Sequence, residues 1–136
     1  MKLSILVPTI RDYNWGNMYK SIERSFSGEW ELILITSKQP IAELIDKLNI
    51  KYIYSNRAPM QKQQEGLCQA CGDYIIGISD DHLWGKGTLD KTFELAKDLD
   101  YKTFIVMKYL EGKEFDFPGW YLEQVPEDHR PFLLRS

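Results

Sequence analysis

The chain has 136 residues, with 17 Lys+Arg against 20 Asp+Glu and a formal charge of −3, a size that suits one domain burying about two thirds of its unfolded surface. At 43% hydrophobic and 27% charged the composition is that of an ordinary globular protein, and nine scattered Gly and six Pro exclude collagenous and low-complexity readings. A pI near 5.4 gives no overall attraction to phosphate backbones, so direct nucleic-acid binding is not expected.

The first apolar run, residues 3–7, is stopped by Pro8. It is far shorter than the roughly 20 residues of a membrane span and too short for a secretory signal core. Cys68 and Cys71, the only cysteines, cannot make a disulfide framework. These features lead to the expectation of a cytoplasmic protein with no transmembrane segment.

Residues 3–7 (LSILV) read as a buried strand. Trp15, Met18, Ile22 and Phe26 then recur at spacings of three and four, the stripe of a helix closed by Gly28. Residues 30–35 (WELILI) form a second strand. Ile41, Leu44, Ile45 and Leu48 repeat the helical stripe, with Pro40 near its start. Residues 52–54 form a third strand. Residues 61–71 are expected to be helical, with Leu67, Ala70 and Cys71 inward and Gly72 ending the helix. Residues 73–78 (DYIIGI) are a fourth strand. Thr88 can cap a helix bearing Leu89, Phe93, Ala96 and Leu99, and residues 103–107 (TFIVM) are a fifth strand. This alternation predicts an α/β fold, a three-layer sandwich around a mainly parallel sheet. Residues 1–110 are expected to form the α/β domain, and 111–136 an irregular tail that begins an acceptor-side region.

Open parallel sheets bind ligands beyond the carboxyl ends of their strands. That rule selects residues 8–12, 36–38, 55–59 and 79–84. The last segment is Ser79-Asp80-Asp81-His82. Adjacent carboxylates at the end of an apolar strand are costly unless a positive group meets them, and Mg²⁺ or Mn²⁺ shared with substrate phosphates is such a group. Alternation along the strand predicts that Asp80 and Asp81 point differently. The plainer reading is a polar loop whose aspartates cap the next turn. His82 is a further metal ligand, a phosphate contact, or a loop residue packed near Trp84. Arg11 can reach a phosphate or simply sit on the surface. Lys62, on the helix after Arg57, can face phosphate, and a solvated helix lysine is the plainer reading.

Residues 3–9 ending Pro8-Thr9, the segment 72–84 (GDYIIGISDDHLW) and 87–91 (GTLDK) together resemble the glycosyltransferase A fold, and within it the inverting glycosyltransferases of family 2. The resemblance covers residues 3–99. It implies transfer of a sugar from a nucleotide-diphosphate sugar to a hydroxyl acceptor (a glycan, a lipid or a small molecule), with Mn²⁺ or Mg²⁺ as cofactor. A non-catalytic nucleotide-sugar-binding module of the same fold is the alternative. Under the resemblance Asp81 holds the metal, and His82, directly after it, is a metal candidate by its position. Asp80 lies near the ribose or donor sugar and joins Asp128, of the late Glu127-Asp128-His129 run, as a catalytic candidate. Pro8 and Thr9 line the base, and Arg57 contacts base or phosphate. Asp116 is a second candidate base, and Trp120 and Tyr121 are a candidate acceptor platform. Three departures stand out. Thr36-Ser37 replaces an acid that contacts the nucleotide, leaving two hydroxyls for that task. Gln63-Gln64 stands where the family often carries Arg-Asn. The sequence also ends at Ser136, soon after the fifth strand, where the family carries an acceptor half.

The C-x-x-C of Cys68 and Cys71 sits at the end of a helix rather than its start, the wrong place for thiol activation, so two semi-buried helix cysteines are expected. G-x-G-x-x-G after strand one, a phosphate-binding P-loop, H-E-x-x-H and G-x-S-x-G are all absent.

Overall fold

The computed structural model describes residues 2–100 and 102. The expected fifth strand (103–107), Asp116, Trp120, Tyr121 and Asp128 lie outside them. The described residues divide into two compact units: those up to Tyr19 with Gly28–His82, and Lys20–Ser27 with those from Leu83 onward.

The first unit is built on four strands, β1 (Lys2–Pro8), β2 (Glu29–Thr36), β3 (Ile50–Tyr54) and β4 (Tyr74–Gly77). All pairings are parallel and the order is β3-β2-β1-β4, so the fold is α/β around a parallel sheet. Ile5 lies opposite Leu32 on one side and Ile76 on the other. β1 and β2 are almost continuously apolar because both sheet faces are covered. On one face Leu6, Ile33 and Ile35 form a core cluster with Ile53 and Ala70, under helix α2 (Pro59–Leu67). On the other, Trp15 meets Tyr52 and Tyr19 meets Trp30, with ring centroids 6.2 and 5.0 Å apart. Trp15 and Tyr19 begin helix α1 (Trp15–Ser25).

Two helix expectations need correction. The stripe at 41–48 does not make a helix: only Ala42–Leu44 turn, as a single 3₁₀ turn, and only Leu44 is buried, while Ile45 and Leu48 are exposed. Asn49 explains the outcome. Its carbonyl accepts from Leu32 N (2.8 Å) and its side chain accepts from Tyr19 Oη (2.8 Å), so the chain is already committed to β3. Helix α2 stops at Leu67, not at Gly72, and turns a different face inward. Lys62 and Gly66 are buried, whereas Leu67, Cys68 and Cys71 are exposed. A Cβ at Gly66 would lie 2.7 Å from Ile35 Cδ1, so a side chain there would push the helix off the sheet. Gly72 serves the sheet instead: a Cβ there would lie 2.6 Å from the backbone nitrogen of Ser4.

In the second unit Thr88 is not the cap of its helix, α3 (Thr88–Ala96). Gly87 precedes the helix at φ 70°, a left-handed conformation that glycine adopts without strain. Ser25 Oγ supplies the missing acceptor, taking a hydrogen bond from Leu89 N (2.9 Å), and Ser21 Oγ accepts from Trp84 N (3.1 Å). Phe26 and Phe93 stack 4.6 Å apart between the centroids.

Candidate functional site

The chain builds outward from β1 in one direction, to β2 and β3, then returns through α2 to place β4 on the other side of β1. The crevice beyond β1 and β4 is therefore the point where the strand order reverses, and side chains diverge there to leave room for a ligand. A cavity of about 690 Å³ lies there. Its walls include Pro8, Thr9 and Arg11 after β1, Ser37 after β2, Asn56 and Arg57 after β3, Lys62 and Gln63 on α2, and Gly77 to Asp80.

Asp80 is the buried centre of this wall, its side chain 4% exposed. Ile78 N donates to Leu6 O (3.0 Å), which carries the pairing one residue past β4 and brings Asp80 beside the turn after β1. Thr9 Oγ1 donates to Asp80 Oδ2 (2.7 Å) and accepts from Trp15 Nε1 (2.9 Å). The Arg11 guanidinium pairs with Asp80 Oδ1, and Arg11 N approaches Oδ2 at 3.4 Å. Hydrogen bonds and the charge of Asp80 hold Arg11 further above its ordinary pKa. The buried carboxylate thus has the positive partner that its position demands.

Asp81 turns the other way, its side chain 61% exposed. Ser79 Oγ donates to Asp81 Oδ1 (2.7 Å), and Arg11 Nη2 stands 3.6 Å from Oδ2. The Ser79 hydrogen bond lowers the Asp81 pKa against the opposing effect of burial, and the Arg11 charge adds to the lowering. His82 is partly buried, and burial lowers its pKa against the pull of Asp81.

Of the residues singled out in the sequence, Pro8, Thr9, Arg11, Ser37, Arg57 and Asp80 meet at the cavity. Asp81 and His82 follow directly in the chain. Thr36 is not part of the wall. It is buried, and its Oγ1 accepts from Lys38 N (3.0 Å) to brace the turn after β2. Lys62 corrects the expectation of a solvated lysine: it is 5% exposed and forms part of the wall. The sequence also hid the Trp15–Thr9–Asp80 relay. Trp15 reads as a core residue and is one, yet a buried indole N–H requires an acceptor, and Thr9 Oγ1 supplies it.

No family model matches the chain, and no curated protein matches it. Eleven chains among solved structures do. One is the crystal structure of S. aureus TarS, at 20% identity and a TM-score of 0.61, covering 72% of this chain and 20% of TarS. The chain shares its fold with the matched part of TarS. The matched region spans one fifth of TarS.

Among the described residues no three His, Cys, Asp or Glu side chains converge as a metal cage, and no helix is long and apolar enough to cross a membrane. Both oxygens of Asp80 are engaged by Thr9 and Arg11, which leaves Asp81 as the outward carboxylate. That donor set fits a hard cation taking most of its ligands from a bound phosphate and from water. It does not fit a cation held by the protein alone.

Proposed function

We propose that this chain is the donor-binding part of a glycosyltransferase, which moves a sugar from a nucleotide-diphosphate sugar to a hydroxyl acceptor with inversion. The observation that carries the reading is the cavity at the point of strand reversal, with a buried, Arg-paired Asp80 in its wall and the next residue, Asp81, turned outward 3.6 Å from the same arginine. The fold shared with TarS supports it.

In this reading the turn after β1 (Pro8, Thr9, Arg11) and Ser37 receive the nucleoside, and Arg57 meets base or phosphate. Asp80 holds that turn in place through Thr9 and Arg11, and its position also brings it near the ribose or donor sugar. Asp81, with His82 next to it, would hold Mn²⁺ or Mg²⁺, which supplies Lewis-acid neutralisation of the departing diphosphate. In the transfer, the bond between the anomeric carbon and the diphosphate oxygen breaks and one to the acceptor oxygen forms. The acceptor proton passes to a base, for which Asp128, outside the described residues, is the candidate.

A second reading is a nucleotide-sugar-binding module without turnover. The closed Thr9–Asp80–Arg11 arrangement favours it, since it ties Asp80 into the wall. Nucleoside diphosphate release from a panel of nucleotide sugars, assayed with Mn²⁺, decides between them. Turnover abolished by Asp81→Ala supports the enzyme. Saturable binding with no release supports the module, and neither binding nor release refutes both.

A further inference from the structure

Helix α2 turns Lys62 and Gly66, four residues apart, towards the sheet, and Ala70 beyond its end packs against the same core cluster. A lysine on that face is an anomaly, because burying an ammonium without a counter-charge is costly. Three cations line the cavity among the described residues. Arg11 is paired with Asp80, and Arg57 Nη1 stands 3.4 Å from Glu65 Oε1. Lys62 is the most buried of the three, and among the described residues its ammonium has neither a carboxylate nor a hydrogen-bond acceptor. With Asp80 as the single acid of the wall, the lining carries two excess positive charges.

From this we infer that Lys62 is the anion anchor of the cavity, its ammonium binding a phosphate oxygen of an organic diphosphate. The inference deepens the nucleotide-sugar reading, on which it rests for the identity of the ligand, and locates the diphosphate end against α2 as well as against Asp81. The packed stem holds the ammonium at the cavity wall, where a ligand that brings its own full negative charge forms the strongest hydrogen bond with it.

The test is calorimetric titration of the full chain, without metal, with inorganic pyrophosphate and with UDP, GDP, ADP, CDP and dTDP. Lys62→Met keeps the stem and its packing while removing the charge, and Lys62→Arg restores the charge. Wild type and Lys62→Arg are expected to bind pyrophosphate, and Lys62→Met to bind it about ten- to hundredfold more weakly. Equal pyrophosphate affinity in wild type and Lys62→Met overturns the inference, as does the absence of pyrophosphate binding by the wild type. If Lys62→Met does not fold, the ¹⁵Nζ resonance of Lys62 in the wild-type chain decides: a shift on adding pyrophosphate supports the anchor, and a stationary signal overturns it. The two readings fail separately. A nucleoside diphosphate that binds wild type and Lys62→Met alike removes the anchor and keeps the nucleotide site. Pyrophosphate bound through Lys62, with no nucleotide bound more tightly than it, removes the nucleotide reading and keeps the anchor.

Discussion

Glu31 is a buried acid on the sheet face that α2 covers, at the end opposite the cavity. Its Oε1 accepts from Ser4 Oγ (2.6 Å) and Cys71 N (2.7 Å), and its Oε2 pairs with Lys51 Nζ (2.9 Å). Ser4 Oγ in turn accepts from Gly72 N (2.8 Å), so one carboxylate fastens the link between α2 and β4 to the middle of the sheet. Burial alone would raise its pKa. The bonds from Ser4, Cys71 and Lys51, with the Lys51 charge, overcome this and lower it from 4.5 to about 2. A native pKa below the unfolded one means that folding is favoured by the ionised form. The contribution is complete above the unfolded pKa and lost as pH falls through the native one. At 1.36 kcal/mol per unit the shift corresponds to about 3 kcal/mol at pH 7, falling to a little over 1 kcal/mol near pH 3. Urea unfolding of wild type and Glu31→Gln, followed by tryptophan fluorescence from pH 7 down to pH 3, measures this directly. The variant is expected to be about 3 kcal/mol less stable at pH 7, with the gap narrowing by about half or more at pH 3. A gap that stays constant across that range would refute the reasoning, because the loss would then be one of shape and not of charge.

Three further outcomes follow from the same geometry. Thr9→Val leaves Trp15 Nε1 and Asp80 Oδ2 without their shared partner and should cost about 1–3 kcal/mol in urea unfolding, while Thr9→Ser recovers most of it; equal stability of the two variants would contradict the relay. Gly72→Ala forces a Cβ against the Ser4 backbone and should lose about 1–3 kcal/mol. Gly16→Ala, whose Cβ would meet only the Glu43 side chain, should change stability by less than half as much, and thermal melts of the pair check the difference. Asp81→Asn should leave the melting temperature without ligand near that of wild type, because the side chain is mostly exposed, whereas Asp80→Asn should lower it by several degrees. Calorimetry on both variants tests that contrast, and the reverse order would contradict the assignment of Asp80 to structure and Asp81 to ligand.

Much of the architecture was legible because β1 and β2 leave no choice. Seven- and eight-residue strands buried on both faces must be apolar almost throughout, and such runs separated by helical stripes imply parallel pairing. The divergence of Asp80 and Asp81 was legible for a related reason, since successive side chains on an extended chain point to opposite sides. The stripe at 41–48 misled because periodicity states which residues share a face, not whether anything covers that face. Leu48 shares the stripe of Leu44 and is fully exposed. Lys62 misled in the opposite sense. Its identity argued for solvent, but Gly66 four residues later marks the face held closest to the sheet, and Lys62 shares that face. The role of Arg11 lay between these cases: its loop was identifiable, but its pairing with Asp80 depends on β1 and β4 being neighbours, which no local pattern records.

The proposed function requires the crevice between the ends of β1 and β4 to receive a nucleoside diphosphate at Asp81. A thermal-shift titration with UDP, GDP, ADP, CDP and dTDP in the presence of Mn²⁺ tests it most directly, because a ligand at a hundred times its dissociation constant adds about 2.7 kcal/mol to the native state. At least one nucleotide should raise the wild-type melting temperature by several degrees, with most of that gain lost in Asp81→Ala. If all five leave the wild type unmoved, or if the gain survives intact in Asp81→Ala, the claim is contradicted.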